Sequence, residues 1–426
     1  MSSPTLSDPT VEHAEQEWLA AYVRLALRVA RQATAGAGGG FALLDYRGPA
    51  AWRDEVTAEE PPPPGRLVEE VDRLAEGLAG VGFAPARAAF LAAHVRSLAT
   101  VAWRLAGERL PLPDYARGCL GIAVEPVPVD ELEAAHDRLA AALPGTRGSV
   151  AERLHAWRDA HRVPPAHLDR LPDLVLRADA EARARTSALV PLPDDETVDC
   201  QLVSGVAFHA AGAHHGGTRS TIYVNRDVPL NAADLLYVVA HEGHPGHIAE
   251  SVLKELHLAG GRSGAEPGGP APAVHETQAR FLVSPQFVIS EGLGLAAEAL
   301  AFPGDEAQAW LADNVLGELG LPPDDSDLAA VHEARNVLYG AWANAVLLLG
   351  DGAPTDEVRA YLARWALLRD DELALLGPDL DLFRAPYAEP YVLAYYHGWR
   401  IVQRLLAAGD RRTAARRLLT EQVLPA

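Results

Sequence analysis

The chain has 426 residues, of which 49% are hydrophobic and 22% charged, so it can bury a large core and is not a disordered chain. Its formal net charge of −21, from 37 basic and 58 acidic residues, argues against a protein that binds nucleic-acid phosphates. Two cysteines, Cys119 and Cys200, are too few for a disulfide framework. The chain shows no basic and apolar leader at its start and no long apolar stretch, so we expect a soluble cytoplasmic protein without a membrane partner.

The first half of the chain is predicted to be a series of helices. Apolar residues recur every three or four positions over 11–34, and a second helical stretch runs from about 67 to 105 with a break near Gly82. Residues 59–65 contain four consecutive prolines and predict a stiff surface linker between them.

Two further helices are predicted at 130–143 and 149–161. Each begins with a predicted capping box, formed by Asp130 with Glu133 and by Ser149 with Glu152. We expect a helical lobe over residues 1–195 and a catalytic lobe over 196–426, which fold as one cooperative unit.

Residues 196–230 change to a pattern typical of β-strands. Apolar and polar side chains alternate over 196–209, and residues 221–225 predict a second strand after a turn at 214–217. We expect this second strand to be an edge strand, to which a peptide substrate adds through main-chain hydrogen bonds. Asn225 either contacts the substrate or simply ends the strand, and the pattern fits both equally.

A cluster of metal-binding side chains follows the apolar run at 235–240. His241, Glu242, His244 and His247 lie within seven residues, so a buried helix delivers three imidazoles and a carboxylate together. In zinc peptidases, two histidines on one helix face hold Zn²⁺, and the glutamate after the first takes a proton from the metal-bound water. The cluster therefore favours a metal-dependent hydrolase.

The second histidine of this cluster is displaced from its usual position. In the H-E-x-x-H form the histidines are four residues apart, about 40° around an α-helix, but here that position holds Pro245. The candidates are His244 and His247, and an undistorted helix would turn His247 to the far side. Because proline removes a backbone donor and Gly246 relaxes the chain, we expect a kink or π-bulge that returns His247 to the face of His241.

A second acidic motif, Glu291-Gly292 with Glu298, lies on an apolar helix predicted from His275 to about Phe302. Together, H-E-x-x-P-G-H at 241–247 and E-G-x-x-x-x-x-E at 291–298 resemble the domain-of-unknown-function family 885 of bacterial proteins, which are regarded as zinc metallopeptidases. The resemblance implies a mainly α, two-lobed, gluzincin-like fold with a small β-sheet beside the metal helix.

The resemblance also implies the roles of the motif residues. One Zn²⁺ ion would be held by His241, His247 and Glu291, and Glu242 would be the general base. Glu298 would be the hydrogen-bond partner of a ligand histidine. His244 is more readily explained as a neighbour of the site than as a ligand, and residues 259–273 form a Gly- and Pro-rich loop that suits either a lid or a plain surface loop.

The apolar helix predicted at 329–349 departs from the family. The family has here an arginine followed by D-x-G-x-H, whereas this chain keeps Arg335 and Gly340 but lacks the aspartate and the histidine. The departure points to an altered choice of substrate or to lost peptidase activity.

The C-terminal segment 383–400 resembles the family's R-Y…P-G-Q-A-x-x-Y-x-x-G. Counting back from Gly398 assigns the family tyrosine to Tyr395, while counting forward from Pro390 assigns it to Tyr396. Either hydroxyl could donate to the oxyanion that forms when water attacks a carbonyl. Substrate carboxylate or oxyanion binding is expected from three further residues of the segment, Arg384, His397 and Arg400.

These observations predict a zinc-dependent hydrolase that cleaves a peptide or amide bond in a small substrate. Two alternatives stay open: the same centre acting on a specialised metabolite or other non-peptide substrate, and a metal-binding protein without turnover. Other divalent metals can also occupy such a site. The oligomeric state is not predicted.

Overall fold

The computed structural model describes residues 9–36, 42–206, 208–259, 274–323, 325–381 and 383–425, and its fold is mainly α with small sheets. The helices are α1 (Pro9–Gly36), α2 (Ala50–Ala58), α3 (Pro64–Leu78), α4 (Pro85–Leu105), α5 (Leu112–Leu120), α6 (Val129–Ala142), α7 (Val150–Ala160), α8 (Leu171–Leu189), α9 (Leu235–Glu242), α10 (His247–Leu258), α11 (Pro285–Ala301), α12 (Glu306–Leu311), α13 (Leu328–Gly350), α14 (Thr355–Trp365), α15 (Asp370–Leu375), α16 (Tyr391–Ala407) and α17 (Arg411–Thr420).

Two sheets accompany these helices. The larger contains β2 (Thr197–Val203), β3 (Ala210–His214) and β4 (Arg219–Asn225) in the order β2-β4-β3, with β2 parallel and β3 antiparallel to β4. The smaller pairs β1 (Leu44–Tyr46) with β5 (Ala279–Phe281) in antiparallel register.

The predicted N-terminal helices are confirmed, with one correction. The break between α3 and α4 contains Gly82 at φ +100°, and Ser149 caps α7 through the predicted capping box. The capping box at Asp130 is wrong, because α6 begins one residue earlier and its N-terminal cap is Pro128. Asp130 thus lies in the first turn, where the positive end of the helix dipole stabilises its carboxylate.

The strands were predicted in the correct part of the sequence, but the predicted order of the strands in the sheet is wrong. The strand predicted at 196–209 ends at Val203, and the turn starts one residue later than expected because His214 belongs to β3. Residues 221–225 lie in β4, which is the central strand rather than the edge. The two edge strands of this sheet are β2 and β3. The one that packs against α9 and α10 is β3, a run of small residues that gave no strong strand signal.

The helix predicted from His275 begins only at Pro285. Residues 276–281 form a 3₁₀ turn and β5, whose backbone pairs with β1. Pro285 occupies the first turn of α11, where proline's missing N–H has no intrahelical partner to lose. The predicted loop at 259–273 lies outside the described residues beyond Ala259.

Helix α11 is the buried centre around which several C-terminal helices pack. All of its residues except Ala299 are buried, as expected for a helix that is apolar on every side. It packs against α9 and α16, and α16 packs in turn against α13. The core also crosses the expected boundary at residue 195, because α8 packs on α9 and α6 on α13. The division into two lobes stays a prediction.

Among the described residues, none of the helices alone meets the length and apolarity needed to cross a bilayer. Helix α11 and residues Glu306–Leu319 meet those limits only as a pair, and they are bent by 74° relative to each other.

Helices α11 and α16 approach each other so closely that their backbones touch at Gly292 and Gly398. A Cβ atom on Gly398 would lie 2.0 Å from the carbonyl oxygen of Val288, and one on Gly292 would lie 2.3 Å from the carbonyl of Gly398. Any larger residue would therefore separate the two helices. This close approach sets α16 directly beside Glu291.

We predict that Gly398→Ala lowers the free energy of unfolding by about 1–3 kcal/mol, because the added methyl group overpacks this contact. Urea denaturation checks the value. Gly65→Ala, at a helical position of α3 where a Cβ has no neighbour within 4 Å, is the control. It should leave stability unchanged or raise it by up to about 1 kcal/mol. Equal effects of the two substitutions would show that the helix contact is not tight.

Candidate metal centre

The expected distortion of the metal helix is a complete break. Helix α9 ends at Glu242 and α10 begins at His247, and the chain between them contains a cis His244–Pro245 peptide bond. A Cβ atom on Gly246 would lie 1.9 Å from the carbonyl oxygen of His241, so only glycine fits there. The break brings the His247 ring to 4.7 Å from that of His241, centre to centre, with the ring planes perpendicular.

Glu291 joins these two histidines from α11. Its Oε2 lies 3.4 Å from Nε2 of His241, and its Oε1 lies 3.7 Å from Nε2 of His247. The donor atoms of the three residues all lie within 4.8 Å of one another. Two ligands about 2.1 Å from a tetrahedral zinc ion are about 3.4 Å apart, so the spacing is close to that of a metal site.

The chemistry of Glu291 also fits a cation. The residue is 1% exposed, and its Oε2 has no hydrogen-bond partner among the described residues. Burial by itself raises the pKa of this carboxyl, but His247 and His241 outweigh it and hold the pKa below its usual value. A buried, ionised and incompletely paired oxygen is costly unless a positive charge faces it.

Glu242 lies at the end of α9, beside the edge strand. Its Oε2 accepts a hydrogen bond of 2.7 Å from the backbone N–H of Gly212 in β3. A Cβ on Gly212 would lie 2.1 Å from the backbone oxygen of Glu242, so glycine permits this approach. The edge strand and the metal helix are therefore in direct contact.

The pairing of β3 with β4 defines which backbone groups remain at the edge. The backbone carbonyl of His209 accepts from the N–H of Asn225, and the backbone N–H of His215 donates to the carbonyl of Arg219. The backbone N–H and C=O groups of the odd-numbered residues therefore point toward β4. Ala210 and Gly212 consequently turn their N–H and C=O groups outward. Apart from the N–H that Glu242 holds, these groups are placed for a strand added along the edge.

Two tyrosines of α16 extend the centre. Tyr391 donates a 2.6 Å hydrogen bond to Oε1 of Glu291, and Tyr395 donates to the hydroxyl of Tyr391 at 3.2 Å. The Tyr395 ring lies 6.5 Å from that of His241. Of the two predicted tyrosines, the structure thus places Tyr395 at the site. Tyr391 was missed, although its spacing of four from Tyr395 puts both on one helix face.

Three other predicted residues of this segment lie away from the centre. Tyr396 faces the opposite side of α16, where it bonds with Glu131, and the guanidinium of Arg400 pairs with the same glutamate at 2.9 Å. The ring of His397 contacts Tyr396, and burial lowers its pKa to about 4. Neighbouring residues of a helix point in different directions. Because Tyr395 faces the centre, the residues that follow it closely in α16 cannot all face the centre too.

Arg384 and Asn225 also have other contacts. Arg384 is exposed and donates to the carbonyl of Asp379. Asn225 is buried at the end of β4, where its amide donates to the carbonyls of Val206 and Phe208. These contacts support the explanation that Asn225 ends the strand rather than the one in which it contacts a substrate.

His244 anchors the segment between α9 and α10 to neighbouring elements through two ion pairs. The side chain is fully buried, with Nδ1 2.9 Å from Asp179 of α8 and Nε2 3.0 Å from Glu196, which directly precedes β2. Burial lowers the pKa of His244, but the effect of the two carboxylates is larger and raises the pKa to about 9. His244 is thus an imidazolium held by two anions and does not join the ligand set.

Glu298 does not contact a ligand histidine, which corrects the expected role. It lies seven residues after Glu291, about 10 Å along the helix axis. There it accepts from His332 at 2.5 Å, and His332 also bonds to Asp234 at 3.0 Å. This is a separate buried charge cluster, in which the two carboxylates raise the pKa of His332 to about 9 against the effect of burial.

The actual polar partner of His247 is Ser290, which the sequence did not indicate. Ser290 Oγ lies 3.1 Å from Nδ1 of His247 and donates to Glu250 of α10. Arg280 donates to Ser290 at 3.0 Å, and Lys254 donates to Glu250 at 2.6 Å. An available signal was Lys254, the only lysine in the sequence, four residues after Glu250.

A basic group borders the centre on the side of α13. Arg335 donates to Asp234 at 2.7 Å and is 21% exposed, while Arg158 of α7 donates to Glu372 and is 15% exposed. Burial and then the charge of Arg335 lower the pKa of Arg158. Burial and then the charges of Arg335 and Arg158 lower the pKa of His209, which directly precedes β3.

Tyr339 connects this basic group to the ligands. Its ring stacks on that of Tyr395 with centres 5.2 Å apart. Burial raises the pKa of Tyr339, and the charges of Arg335 and Glu291 act on it with opposite signs. The guanidinium of Arg335 and the carboxylate of Glu291 therefore both lie within electrostatic range of one hydroxyl group.

Comparisons with known proteins give a fold likeness only. No family model and no curated protein matches the chain, so the resemblance to family 885 rests on its motifs. A solved structure from Colwellia psychrerythraea, described as a lipoprotein, is 14% identical with a TM-score of 0.54, over 84% of this chain and 64% of that one. The M32 carboxypeptidase from Deinococcus radiodurans R1 is 12% identical with a TM-score of 0.37, over 95% and 89%.

We predict a pH-dependent stability contribution from His244. Its pKa of about 9 in the folded chain exceeds the ordinary value of 6.5, so its contribution is fully present below about pH 6.5 and is lost as pH rises through 9. The difference in unfolding free energy between wild type and His244→Gln should shrink by up to about 3 kcal/mol from pH 6 to pH 10.

Chemical denaturation across this range measures the difference. His332, whose pKa is also about 9, is present in both proteins and cancels in the comparison. A difference that stays constant with pH would contradict the ion pairs of His244.

Proposed function

We propose that this chain is a metal-dependent hydrolase that cleaves a peptide or amide bond in a small substrate. The observation that carries the proposal is the convergence of His241 and His247 on the buried Glu291, whose Oε2 has no hydrogen-bond partner among the described residues. Two imidazoles and one carboxylate are a ligand set used by zinc hydrolases, which keep a fourth position for the reaction. A bound Zn²⁺ ion would supply Lewis acidity and make a water molecule acidic near neutral pH.

Glu242 is the proposed general base. It directly follows His241 in the chain, and the Gly212 N–H orients its carboxylate. A carboxylate fixed next to the attacking water can take its proton and pass it to the leaving amine. A protein that only stored a metal would have no use for this arrangement, which favours turnover over mere binding.

Tyr395 is the proposed donor to the oxyanion. Its hydroxyl hydrogen is held by Tyr391 in the structure, and rotation about the C–O bond redirects it toward the carbonyl oxygen of a substrate. Strand β3 supplies the substrate platform, since its outward backbone groups continue up to the Gly212–Glu242 contact. Gly212 thereby links the position of the substrate chain to that of the base.

A non-peptide amide substrate is the second candidate. It is favoured by the departure in α13, where Leu338 and Trp342 stand at the aspartate and histidine positions of D-x-G-x-H. Hydrolysis of blocked short peptides, compared with that of simple arylamides, separates the two candidates. The cytoplasmic location likewise stays part of the proposal.

We predict that wild-type protein purified with Zn²⁺ contains about one ion per chain and that His247→Ala and Glu291→Ala lose it. Glu242→Gln should keep the ion but lose about 10²–10⁴-fold in hydrolysis of blocked di- and tripeptides, because only the base is removed. Elemental analysis and a peptide-cleavage assay are the readouts.

The control for this set is His397→Ala, a histidine of α16 outside the ligand group, which should retain the ion. Metal retained in both His247→Ala and Glu291→Ala would contradict the centre. Full activity in Glu242→Gln would contradict the base.

The basic group on α7 and α13 suggests how a substrate is oriented. Each of the two guanidinium groups donates to a carboxylate within the fold, and both remain partly open to solvent beside the start of β3. A peptide paired with β3 would direct one end toward them. Arginine pairs well with carboxylates, so we propose that a substrate with a free carboxylate binds there.

We predict that the enzyme prefers a blocked dipeptide with a free C-terminal carboxylate over the same peptide as its amide. Arg335→Ala should lower kcat/KM for the free acid by about 10–100-fold and leave the amide unchanged, because one charged hydrogen bond contributes about 1.5–3 kcal/mol. Arg400→Ala, on the remote face of α16, is the control and should alter neither substrate. An equal loss for acid and amide would assign Arg335 to folding instead.

A further inference from the structure

We infer that Ser290 is a positioning residue of the metal centre, whose hydroxyl fixes His247 in the tautomer that presents a bare Nε2 to the cation. Glu250 and Arg280 fix the direction of that hydroxyl. The inference rests on the proposed metal binding by His241, His247 and Glu291, and it assigns a function to a network that the hydrolytic scheme does not use.

The hydrogen atoms of the network can be placed one by one. Glu250 accepts from Lys254, from Ser290 and, at 3.4 Å, from Arg280, so its carboxylate oxygens act as acceptors. The single proton of Ser290 is therefore committed to Glu250. Arginine has no acceptor, so the 3.0 Å contact between Arg280 Nη2 and Ser290 is a donation to the hydroxyl oxygen.

The remaining contact of Ser290 determines the state of His247. Ser290 Oγ has already donated its only proton and lies 3.1 Å from Nδ1 of His247, so Nδ1 must carry the hydrogen in this bond. In a neutral imidazole the other nitrogen is then an acceptor. That nitrogen, Nε2, is the one that faces Glu291 at 3.7 Å. The network thus selects the tautomer that can bind a metal.

Burial makes this selection firm. Ser290 is 0% exposed, Glu250 1%, and Arg280 and Lys254 5% each, so the network has little contact with bulk solvent. Lys254 and Arg280 hold the pKa of Glu250 at about 2 against the effect of burial. The network joins α10, β5 and α11, which are also the elements that must align to bring His247 to Glu291.

A neighbouring serine supplies a matched control. Ser251 is also buried and also accepts from Arg280, at 3.3 Å, but its hydroxyl donates to the backbone carbonyl of His247 rather than contacting the imidazole. Ser251→Ala and Ser290→Ala therefore remove the same atoms from the same network. Only Ser290→Ala removes the partner of the ring.

The experiment measures Zn²⁺ affinity of the full chain by competition with a chromophoric chelator. Loss of a hydrogen-bond partner of a ligand histidine typically costs about 10–100-fold in metal affinity, and we expect this for Ser290→Ala. Ser251→Ala should stay within about threefold of wild type. Thermal unfolding of the metal-free variants identifies any that fail to fold.

A second variant and a spectroscopic readout keep the inference testable if Ser290→Ala is unstable. Glu250→Gln retains the shape of the side chain but no longer obliges Ser290 to donate, so affinity should fall here too. In ¹⁵N spectra of metal-free protein, the His247 signal, identified by its absence in His247→Gln, should show the Nδ1–H tautomer in wild type. It should lose this tautomer in Glu250→Gln.

The outcomes distinguish two failures. If wild type binds no metal, the proposed function fails and the inference fails with it. If wild type binds Zn²⁺ and folded Ser290→Ala and Glu250→Gln bind it equally well, only the inference is overturned. An Nε2–H tautomer of His247 in wild type would overturn it directly.

Discussion

The buried carboxylate of Glu291 is the constraint on which the packing of the C-terminal helices depends. It is an ionised group on a mostly apolar helix whose residues are all buried except Ala299, and one of its oxygens lacks a partner among the described residues. Such a group is tolerated only where positive charge or hydrogen-bond donors converge on it. Two imidazoles from α9 and α10 and one tyrosine from α16 do so, and these are the elements packed around α11.

The other buried charged groups pair with one another and so do not contact the carboxylate of Glu291. His244 is neutralised by Asp179 and Glu196, His332 by Asp234 and Glu298, and Glu250 by Lys254 and Arg280. Each cluster pairs opposite charges within itself, which stabilises buried ionised groups, although Oε1 of Glu298 has no hydrogen-bond partner among the described residues. Among the residues that the structure describes, His241, His247 and Glu291 are the group whose donor atoms converge closely enough to hold a cation, although several other histidines and carboxylates are buried.

Residues close in sequence were predicted better than those assembled by the fold. The helix break after Glu242 followed from Pro245 and Gly246, since local backbone chemistry is written in the residues themselves, and the pairing of His247 with Glu291 followed from motif resemblance. The roles of Ser290, Arg280 and Tyr391 could not be predicted, because their contacts depend on the rotation of α11 and on β5, a strand whose pairing with β1 spans more than two hundred residues. Glu298 was misassigned for the same reason: its position two turns after Glu291 was clear, but the helix that it faces was not.

The departure at D-x-G-x-H has a structural counterpart in α13. The rings of Tyr339 and Trp342 lie 5.9 Å apart, and the two rings pack on Tyr395 and Phe383 respectively. The stack of Tyr339 on Tyr395 holds α16 against α13 next to Leu338, the position of the missing aspartate, and aromatic rings stabilise such a contact without a buried charge. Since Tyr395 also neighbours His241 and hydrogen-bonds Tyr391, this stack orients the two hydroxyl groups over Glu291. The departure thus lies in the wall beside His241, His247 and Glu291 and leaves the geometry of that group intact.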